Sequence, residues 1–396
     1  MTHYYQPEVG APQKRWDYLV DFLIKRGHEV AVCAPVPHYP LGRRFTQDKV
    51  WVWESGVHGE RVLRVPYVPY SGSMAVQMLD QTISSLAEVF ATTYMRSHKP
   101  DVVISTTPGL PMLFAGELAS RTLSVPHIAE VRDAWPDLIW QTKLVDSATK
   151  SLLPKRVSGA LERKIIPQLL IRAKKEADAV IVTTKAFKRV SEGRGLNHVH
   201  LIRNVAEPHA TLSRPKQKGT LNLLYVGTVG RSQGLEHVVD AVRDVPQVTL
   251  RVVGDGAAKE QLEQQATGVG NIHFYPQTVG GELEDHWNWA DSGLVTLAPL
   301  PAFEMTVPSK LYGVMARGKH VTGVLGGEAA SIVSSSHSGD ISTPGDTRAL
   351  RALLTDLAEQ QKLSHNIGHT QKWVLENASP ESAGKRLERV LFKVTQ

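Results

Sequence analysis

The sequence predicts an α/β chain of two domains, each built on a parallel sheet. Three observations carry that expectation. The chain has 396 residues, more than one ordinary core organises. Short apolar runs alternate with helical-period segments in both halves, the pattern of crossover units. One polar stretch without periodicity, 206–220 with two prolines, separates the two series and reads as a linker.

The elements follow in order. In the first half HEVAVCAP (28–35), DVVISTT (101–107), HIAEV (127–131) and DAVIVTT (178–184) read as buried parallel strands. Segments 16–25 and 75–94 have helical spacing. In the latter Leu79, Ile83, Leu86, Phe90 and Tyr94 fall on one stripe, expected to face the core. The second half repeats the theme with LNLLYVG (221–227), VTLRVVG (248–254), NIHFYP (271–276), SGLVTLAP (292–299) and KHVTGVL (319–325). The boundaries expected are a first domain over 1–205, the linker 206–220 and a second domain over 221–378. A terminal helix over 379–396, capped by Ser379 with Pro380 at its first position, is expected to pack back on the first domain. The first loop begins after only five residues, MTHYY. The strand before it is therefore either very short or begins upstream of the given start.

Composition narrows the class. Apolar residues make up 42% and charged residues 21%, which argues for a globular enzyme and against disorder. The single cysteine, Cys33, excludes an internal disulfide and makes a reducing, cytoplasmic setting the default. The start lacks the charged-then-apolar pattern of a signal peptide, and no uncharged apolar run reaches about 18 residues. The net charge of +6 is uneven. Residues 1–210 carry 27 Lys and Arg against 20 Asp and Glu, and residues 211–396 carry 18 against 19. The basic excess belongs to the first half and suggests an anionic partner there. The stretch 155–175 mixes seven basic residues with apolar ones and is expected to rest on an anionic membrane surface.

Three segments have the chemistry of anion binding. The loop Gln6 to Gln13, with Gly10, precedes a helix whose N-terminus favours negative charge. The turn Gly227-Thr228-Val229-Gly230-Arg231-Ser232-Gln233-Gly234 lies between a strand and a helix, with small residues and a guanidinium suited to a diphosphate. Neither is a Walker loop or a three-glycine dinucleotide fingerprint. In Val307-Pro308-Ser309-Lys310-Leu311, Ser309 is expected to cap a helix that Gly318 ends. Lys310 then sits in the first turn, where a cation opposes the helix dipole unless an anion shares the site.

HYYQPEVGAPQKR, RGHEV, VPHYPLGR, EVRDAWPD, LIRNVAEP, VGTVGRSQGLE, VVGDGAAKEQLE and VPSKLYGVMARGKHV occur in this order. Together they resemble glycosyltransferase family 4, with greatest likeness to bacterial capsule and O-antigen enzymes of the N-acetyl-L-fucosamine transferase type. The resemblance implies the GT-B fold, two Rossmann-like domains facing across a cleft, with the donor on the second and the acceptor on the first. It implies a retaining, metal-independent transferase with no cofactor. The donor substrate would be a nucleotide diphosphate sugar, UDP-linked. The acceptor would be a polyprenyl-diphosphate-linked glycan at the inner face of the cell membrane. Nucleic acid is not an expected partner.

Residue by residue, Gly10 matches the family's N-terminal glycine beside the donor phosphates. Gly227, Gly230 and Arg231 match its phosphate turn, and Ser309 and Lys310 its PSK motif. Arg132 and Asp133 stand where many relatives carry a His-Asp pair near the transferred sugar. Asp133 also reads as a helix cap before Trp135-Pro136. Of two glutamates common in the family, Glu304 stands one step from the first, where this chain has Met305. Gly313 replaces the second, the ribose contact. Two other readings stay open: a nucleotide-sugar 2-epimerase of the same fold, and a catalytically inactive scaffold in a polysaccharide assembly complex.

Overall fold

The structure, a computed structural model, describes residues 1–39, 41–71, 74–107, 109–142, 159–209 and 216–396. Lys155 and Arg156 of the basic stretch, and 210–215 of the expected linker, lie outside the described residues. The chain divides into two compact units: Met1–Asn204 with Pro380–Gln396, and Val205–Ser379. Among the described residues no helix is long and apolar enough to cross a membrane.

The first unit contains α1 (Ala11–Lys25), β1 (Ala31–Pro35), β2 (Trp53–Ser55), β3 (Arg61–Val65), α2 (Met74–Ala91), β4 (Val103–Thr106) and α3 (Leu110–Leu123). Then come β5 (His127–Val131), α4 (Asp137–Thr142), α5 (Ile166–Glu176), β6 (Ala179–Val182), α6 (Lys185–Gly193) and β7 (Val199–Leu201). Strands β4, β5, β6 and β7 pair in sequence, all parallel. Strand β3 pairs parallel with β1 and antiparallel with β2. Met1 and Thr2 join the two groups. The Thr2 N–H donates to the Cys33 carbonyl at 3.1 Å, and the Thr106 N–H donates to the Met1 carbonyl at 3.2 Å. Two residues thus do the work of the strand expected before the first loop.

Burial explains most of the helices. Helix α1 turns Trp16, Leu19, Val20 and Leu23 inward. The terminal helix, Pro380–Thr395, packs on α1 through Ala383, Leu387, Val390 and Leu391. A side chain at Gly384 would lie 2.3 Å from the Phe22 ring, so only glycine permits this approach. Just before this helix the Ser379 hydroxyl donates to the Leu375 carbonyl of the preceding turn at 2.6 Å.

Helix α2 contradicts the expected core stripe. Leu79, Ile83, Leu86 and Phe90, with Tyr94 beyond its end, are exposed, whereas Asp80, Ser84, Ser85 and Glu88 are buried. The reason is that the unit's interior is polar at this place. Asp80 Oδ1 accepts from the Val68 N–H at 2.8 Å and Ser84 Oγ at 3.3 Å, and Asp80 Oδ2 faces two histidines. A buried carboxylate with that many partners outweighs the periodicity signal.

The second buried carboxylate is Glu130, at the end of β5. It accepts from Arg15 Nε at 2.8 Å, Trp16 Nε1 at 2.9 Å and Thr106 Oγ1 at 2.6 Å. Arg15 continues to the carbonyls of Ile202 and Arg203. One carboxylate therefore ties α1 to the ends of β4 and β5, and its guanidinium partner reaches the chain beyond β7.

The second unit contains β8 (Leu221–Val226), α7 (Leu235–Arg243), β9 (Val248–Val253), α8 (Lys259–Gln265), β10 (Ile272–Tyr275), α9 (Gly280–Trp289) and β11 (Ser292–Thr296). It continues with α10 (Ser309–Ala316), β12 (His320–Val324), α11 (Gly327–Ser335), β13 (Gly339–Ser342), α12 (Thr347–Glu359) and α13 (Ile367–Ala378). Its six strands run parallel in the order β10-β9-β8-β11-β12-β13. The order reverses between β8 and β11, the switch point where open α/β sheets leave a crevice at their strand ends. Leu223, Tyr225, Leu250, Val252 and Leu294 are buried between the helix layers, as a two-sided parallel sheet requires.

The described part of 206–220 is bonded to this second unit. The N–H groups of Ala206, His209 and Gly219 donate to the carbonyls of Ala378, Ala316 and Ala358, and Lys216 Nζ also donates to Ala358. All three acceptors close helices, where carbonyls lack intrahelical partners. The stretch lacks periodicity because it caps helix ends.

Replacing Glu130 with alanine leaves the Arg15 guanidinium buried and unpaired. The expected loss is about 3–5 kcal/mol of stability in the first unit. Urea unfolding of the full chain measures it, and a loss below about 1 kcal/mol would show that the pair does not hold these elements.

Candidate functional site

At the switch point, β8 runs into the turn Gly227–Gly234. Gly234 adopts φ 63°, and a side chain there would come within 2.9 Å of Ala298. The turn is tied to the end of β11: Ala298 N–H donates to the Ser232 carbonyl at 2.9 Å and Thr296 Oγ1 to the Gln233 carbonyl at 2.8 Å. Beneath it lies the loop after β9, where Gly254 touches Gly227 so closely that a Cβ would sit 2.0 Å from the Gly227 carbonyl oxygen. Not every amide of the turn is open. The Gly227 and Val229 N–H groups donate to Val253 and Asp255 carbonyls, and the Gly230 N–H donates to Gln233 Oε1 at 3.0 Å. Gln233 thus braces the turn. Among the described residues, the amides of Thr228, Arg231 and Ser232 in this turn have no hydrogen-bond partner. The Arg231 side chain is exposed and has neither hydrogen bond nor ion pair among the described residues.

Helix α10 delivers Lys310 to the same turn. Pro308 is its N-cap and Ser309 its first residue, so Ser309 does not cap as expected; no side chain does. Pro308 holds an extended conformation (φ −66°, ψ 137°) that starts the helix one residue earlier than the reading placed it. Gly318, at φ 64°, ends the helix as the sequence reading had it. Lys310 Nζ donates to the Tyr225 hydroxyl and lies 4.2 Å from the centre of that ring. It also borders Gly227, 3.4 Å from where a Cβ would stand. The Tyr225 hydroxyl donates onward to the Thr228 carbonyl, which fixes it as acceptor toward the lysine. Among the described residues no carboxylate faces Lys310, and burial alone pulls its ammonium down to about 7. A cation beside open amides and a helix N-terminus is arranged to receive an anion. Tyr225 was not anticipated; its one signal is a tyrosine within the aliphatic run LNLLYVG.

Glu304 lies in the turn Pro301–Met305, exposed, its backbone against Gly327 at the start of α11. Gly313 sits on α10 with open space where a side chain would project, so the absent glutamate is not excluded by packing.

In the first unit, Gly10 is the extended N-cap of α1, with φ −178°. Its loop is held by buried Glu8, whose Oε1 accepts from the His38 and Tyr39 N–H groups, both at 2.9 Å, and whose Oε2 accepts from Gln13 Nε2 at 3.0 Å. Arg132 follows β5. One Nη reaches Asn204 Oδ1 at 3.4 Å, while Nε and the other Nη are buried without a hydrogen-bond partner. The neighbouring Asp133 carboxyl is pushed up by burial, with the Arg132 charge working against the shift. Asp133 caps no helix: α4 opens only at Asp137. A buried guanidinium with open donors beside a carboxyl suits binding of a polar, oxygen-rich ligand.

One cluster was invisible in the sequence because its members are far apart in the chain. His3, His38 and Asp80 bring three ligand-type atoms within 4.8 Å of one another. His38 Nε2 lies 3.0 Å from Asp80 Oδ2, and its Nδ1 bonds the Val36 carbonyl at 2.7 Å. Burial opposes the His38 charge, but Asp80, the Val36 carbonyl and Glu8 together raise its pKa. Those contacts describe an internal ion pair bracing the base of the loop. The depression lined by Gln217, Thr220, Asn222, Gln247, Thr249 and Asp291 is at the opposite, amino-terminal edge of the second sheet and contains none of these groups.

Residues 10–204 match the family model of the glycosyl transferase 4-like domain, and residues 220–360 match that of the glycosyl transferases group 1. The chain is a glycosyltransferase of GT-B fold composed of these two domains. It is 26% identical over 329 residues to a protein of Escherichia coli named for colanic acid biosynthesis glycosyl transfer, WcaI, covering 79% of each chain. Over 364 residues it is 23% identical to the sulfoquinovosyl transferase SQD2 of Arabidopsis thaliana, 88% of this chain and 64% of that one. Among solved structures, Anabaena HepE in complex with UDP and glucose superposes with a TM-score of 0.67 at 17% identity, covering 99% of both chains. Sucrose-phosphate synthase from Thermosynechococcus elongatus gives 0.73 at 14% identity, covering 99% of this chain and 95% of that one.

The low pKa of Lys310 sets a pH signature. The lysine is charged below about 7 and loses its proton above it in the free enzyme. A bound diphosphate favours the charged form. The donor kcat/KM is therefore expected to fall tenfold per pH unit above about 7, while kcat holds to higher pH. Lys310→Arg stays charged and should remove the decline even if slower. A wild-type kcat/KM that rises from pH 7 to 9 would remove Lys310 from the phosphate site.

Proposed function

We propose that this chain transfers a sugar from a UDP-linked nucleotide sugar to a polyprenyl-diphosphate-linked glycan precursor, with retention of configuration and without a metal. The observation that carries the reading is the Lys310 ammonium, with no carboxylate beside it among the described residues, held by Tyr225 against the Gly227 turn. As the sugar–phosphate bond breaks, negative charge grows on the leaving diphosphate. Lys310, Arg231, the open amides of Thr228, Arg231 and Ser232 and the N-terminus of α10 stabilise it, the work a divalent cation would otherwise do. From the family resemblance we also assign Gly10 to the donor phosphates, and Arg132, Asp133 and Glu304 to the transferred sugar. The HepE complexes with UDP and UDP-glucose support a uridine diphosphate donor. The colanic acid relative supports a cell-surface glycan as product, of the capsule or O-antigen kind. An N-acetylated hexose or deoxyhexose is the donor sugar we favour, with the reaction taking place at the inner face of the membrane.

A panel of UDP-sugars with a lipid-linked acceptor tests the reading, the anomeric configuration of the product being read by NMR. Lys310→Ala should cost about two orders of magnitude in turnover, roughly 2–4 kcal/mol, with folding intact. Full turnover in that variant would set the proposed site aside. EDTA should leave the rate unchanged. Loss of rate that magnesium or manganese restores would overturn the metal-free mechanism.

A further inference from the structure

The outer surface of the first unit is polarised in an unusual way. Helix α2 has two charged residues, Asp80 and Glu88, and both are fully buried. Its solvent side presents Leu79, Ile83, Leu86 and Phe90, between 39% and 61% exposed. A surface helix of a soluble domain does the reverse. The apolar area extends beyond α2. Helix α3 packs beside α2, and α5 beside α3, in one layer over the sheet. Their outward sides add Phe114 and Leu118 from α3, and Ile165 and Leu169 at and after the start of α5. Trp51 and Tyr94 close one margin, their rings stacked 6.1 Å apart, with the Phe90 ring edge-on to Trp51 at 5.5 Å. The other margin is basic. Arg163 and Lys164, which precede α5, and Arg172 and Lys175 on it are exposed, with Ile165, Leu169 and the acid Glu176 exposed among them; Glu176 lies 3.7 Å from Arg121 of α3. Lys174 is turned inward to the Trp135 carbonyl and takes no part.

We infer that this face of α2, α3 and α5 is a docking surface for an anionic phospholipid bilayer, into which the α2 side chains insert while the α5 cations meet the head groups. Three features select this occupant. The exposed side of α2 bears no charge, so it can enter an apolar phase without desolvating an ion. The aromatic margin suits the head-group boundary. The cations lie beside the apolar area, the order an amphipathic interfacial surface requires. A second copy of this chain would instead bring the α5 cations of both copies toward a shared interface. The inference deepens the proposed function, whose acceptor is lipid-linked, by naming the surface that meets the lipid; it replaces attraction by the basic stretch alone with insertion.

Co-sedimentation of the full chain with vesicles of phosphatidylglycerol and phosphatidylcholine tests it. Wild type should bind mixed vesicles, and binding should weaken but persist at high salt. Leu86→Ser with Phe90→Ser, both at exposed positions, should weaken binding at least roughly tenfold at any salt. Brominated lipid should quench tryptophan fluorescence, and Trp51→Phe should remove most of that quenching. Variant binding equal to wild type, or no quenching attributable to Trp51, overturns the proposal. So does a wild-type dimer in solution that the Leu86/Phe90 variant splits into monomers. Hydrolysis of UDP-sugar without acceptor, measured on the same variant, separates the two readings. It should be unchanged. Wild-type vesicle binding that the variant loses, with no sugar turnover in either, would keep the docking surface and remove the transferase chemistry.

Discussion

An ammonium enclosed by protein without a counter-ion costs free energy unless something compensates. In the second unit such a cost is borne where Lys310 meets Tyr225 and Gly227, and the local architecture is arranged around it. The strand order reverses between β8 and β11, so the connections leaving these neighbouring strands run to opposite faces and a gap opens between them. The turn after β8 fills one wall, and α10, which follows β11, points its N-terminus and its lysine at the other. Tyr225 must be a tyrosine for this to work. Its ring supplies a π face to the ammonium and its hydroxyl an acceptor, without introducing a negative charge that would compete with a phosphate.

Much of this was legible before any coordinates. Lys310 stood out because a cation in the first turn of a helix works against the dipole, and among the described residues its partner is the neutral Tyr225 and no carboxylate. The glycine turn was legible from its position between strand and helix. Tyr225 was not, because its role depends on a neighbour 85 positions away. That the Gln233 side chain consumes the Gly230 amide follows from the turn's geometry and not from its composition. The parallel sheets were read from apolar runs, while β2, β3, β7 and β13 were missed because they are short or half polar.

The first unit shows where periodicity misleads. A stripe of Leu79, Ile83, Leu86 and Phe90 ordinarily marks the side of a helix that faces the core. The rule assumes an apolar interior, and here the interior beneath α2 holds Asp80 with His3 and His38. Glu8 and Glu130 extend the same pattern: buried carboxylates accept from backbone amides, an indole, a hydroxyl and a guanidinium, and so organise the strand ends. A sequence shows such residues as scattered acids. Only contacts with segments from three parts of the chain reveal them as brackets.

The same economy of charge links the two units' polar features. Arg132 keeps two buried guanidinium nitrogens without a hydrogen-bond partner, and Lys310 is held near its neutral form. Each keeps donor capacity that the described residues do not fill. Donors left open in this way lower the stability of the empty protein and raise its affinity for an oxygen-rich ligand by a corresponding margin. For Lys310 the penalty is softened because the amine can shed its proton while the site is empty. In the proposed function, binding of a diphosphate would draw the proton back, so that the charge appears with the anion and strengthens its hold as the leaving group gathers negative charge. An arginine at this position would keep its charge at all times and would tax the empty fold; a lysine in an apolar cradle confines that cost to the liganded state, where the phosphate offsets it.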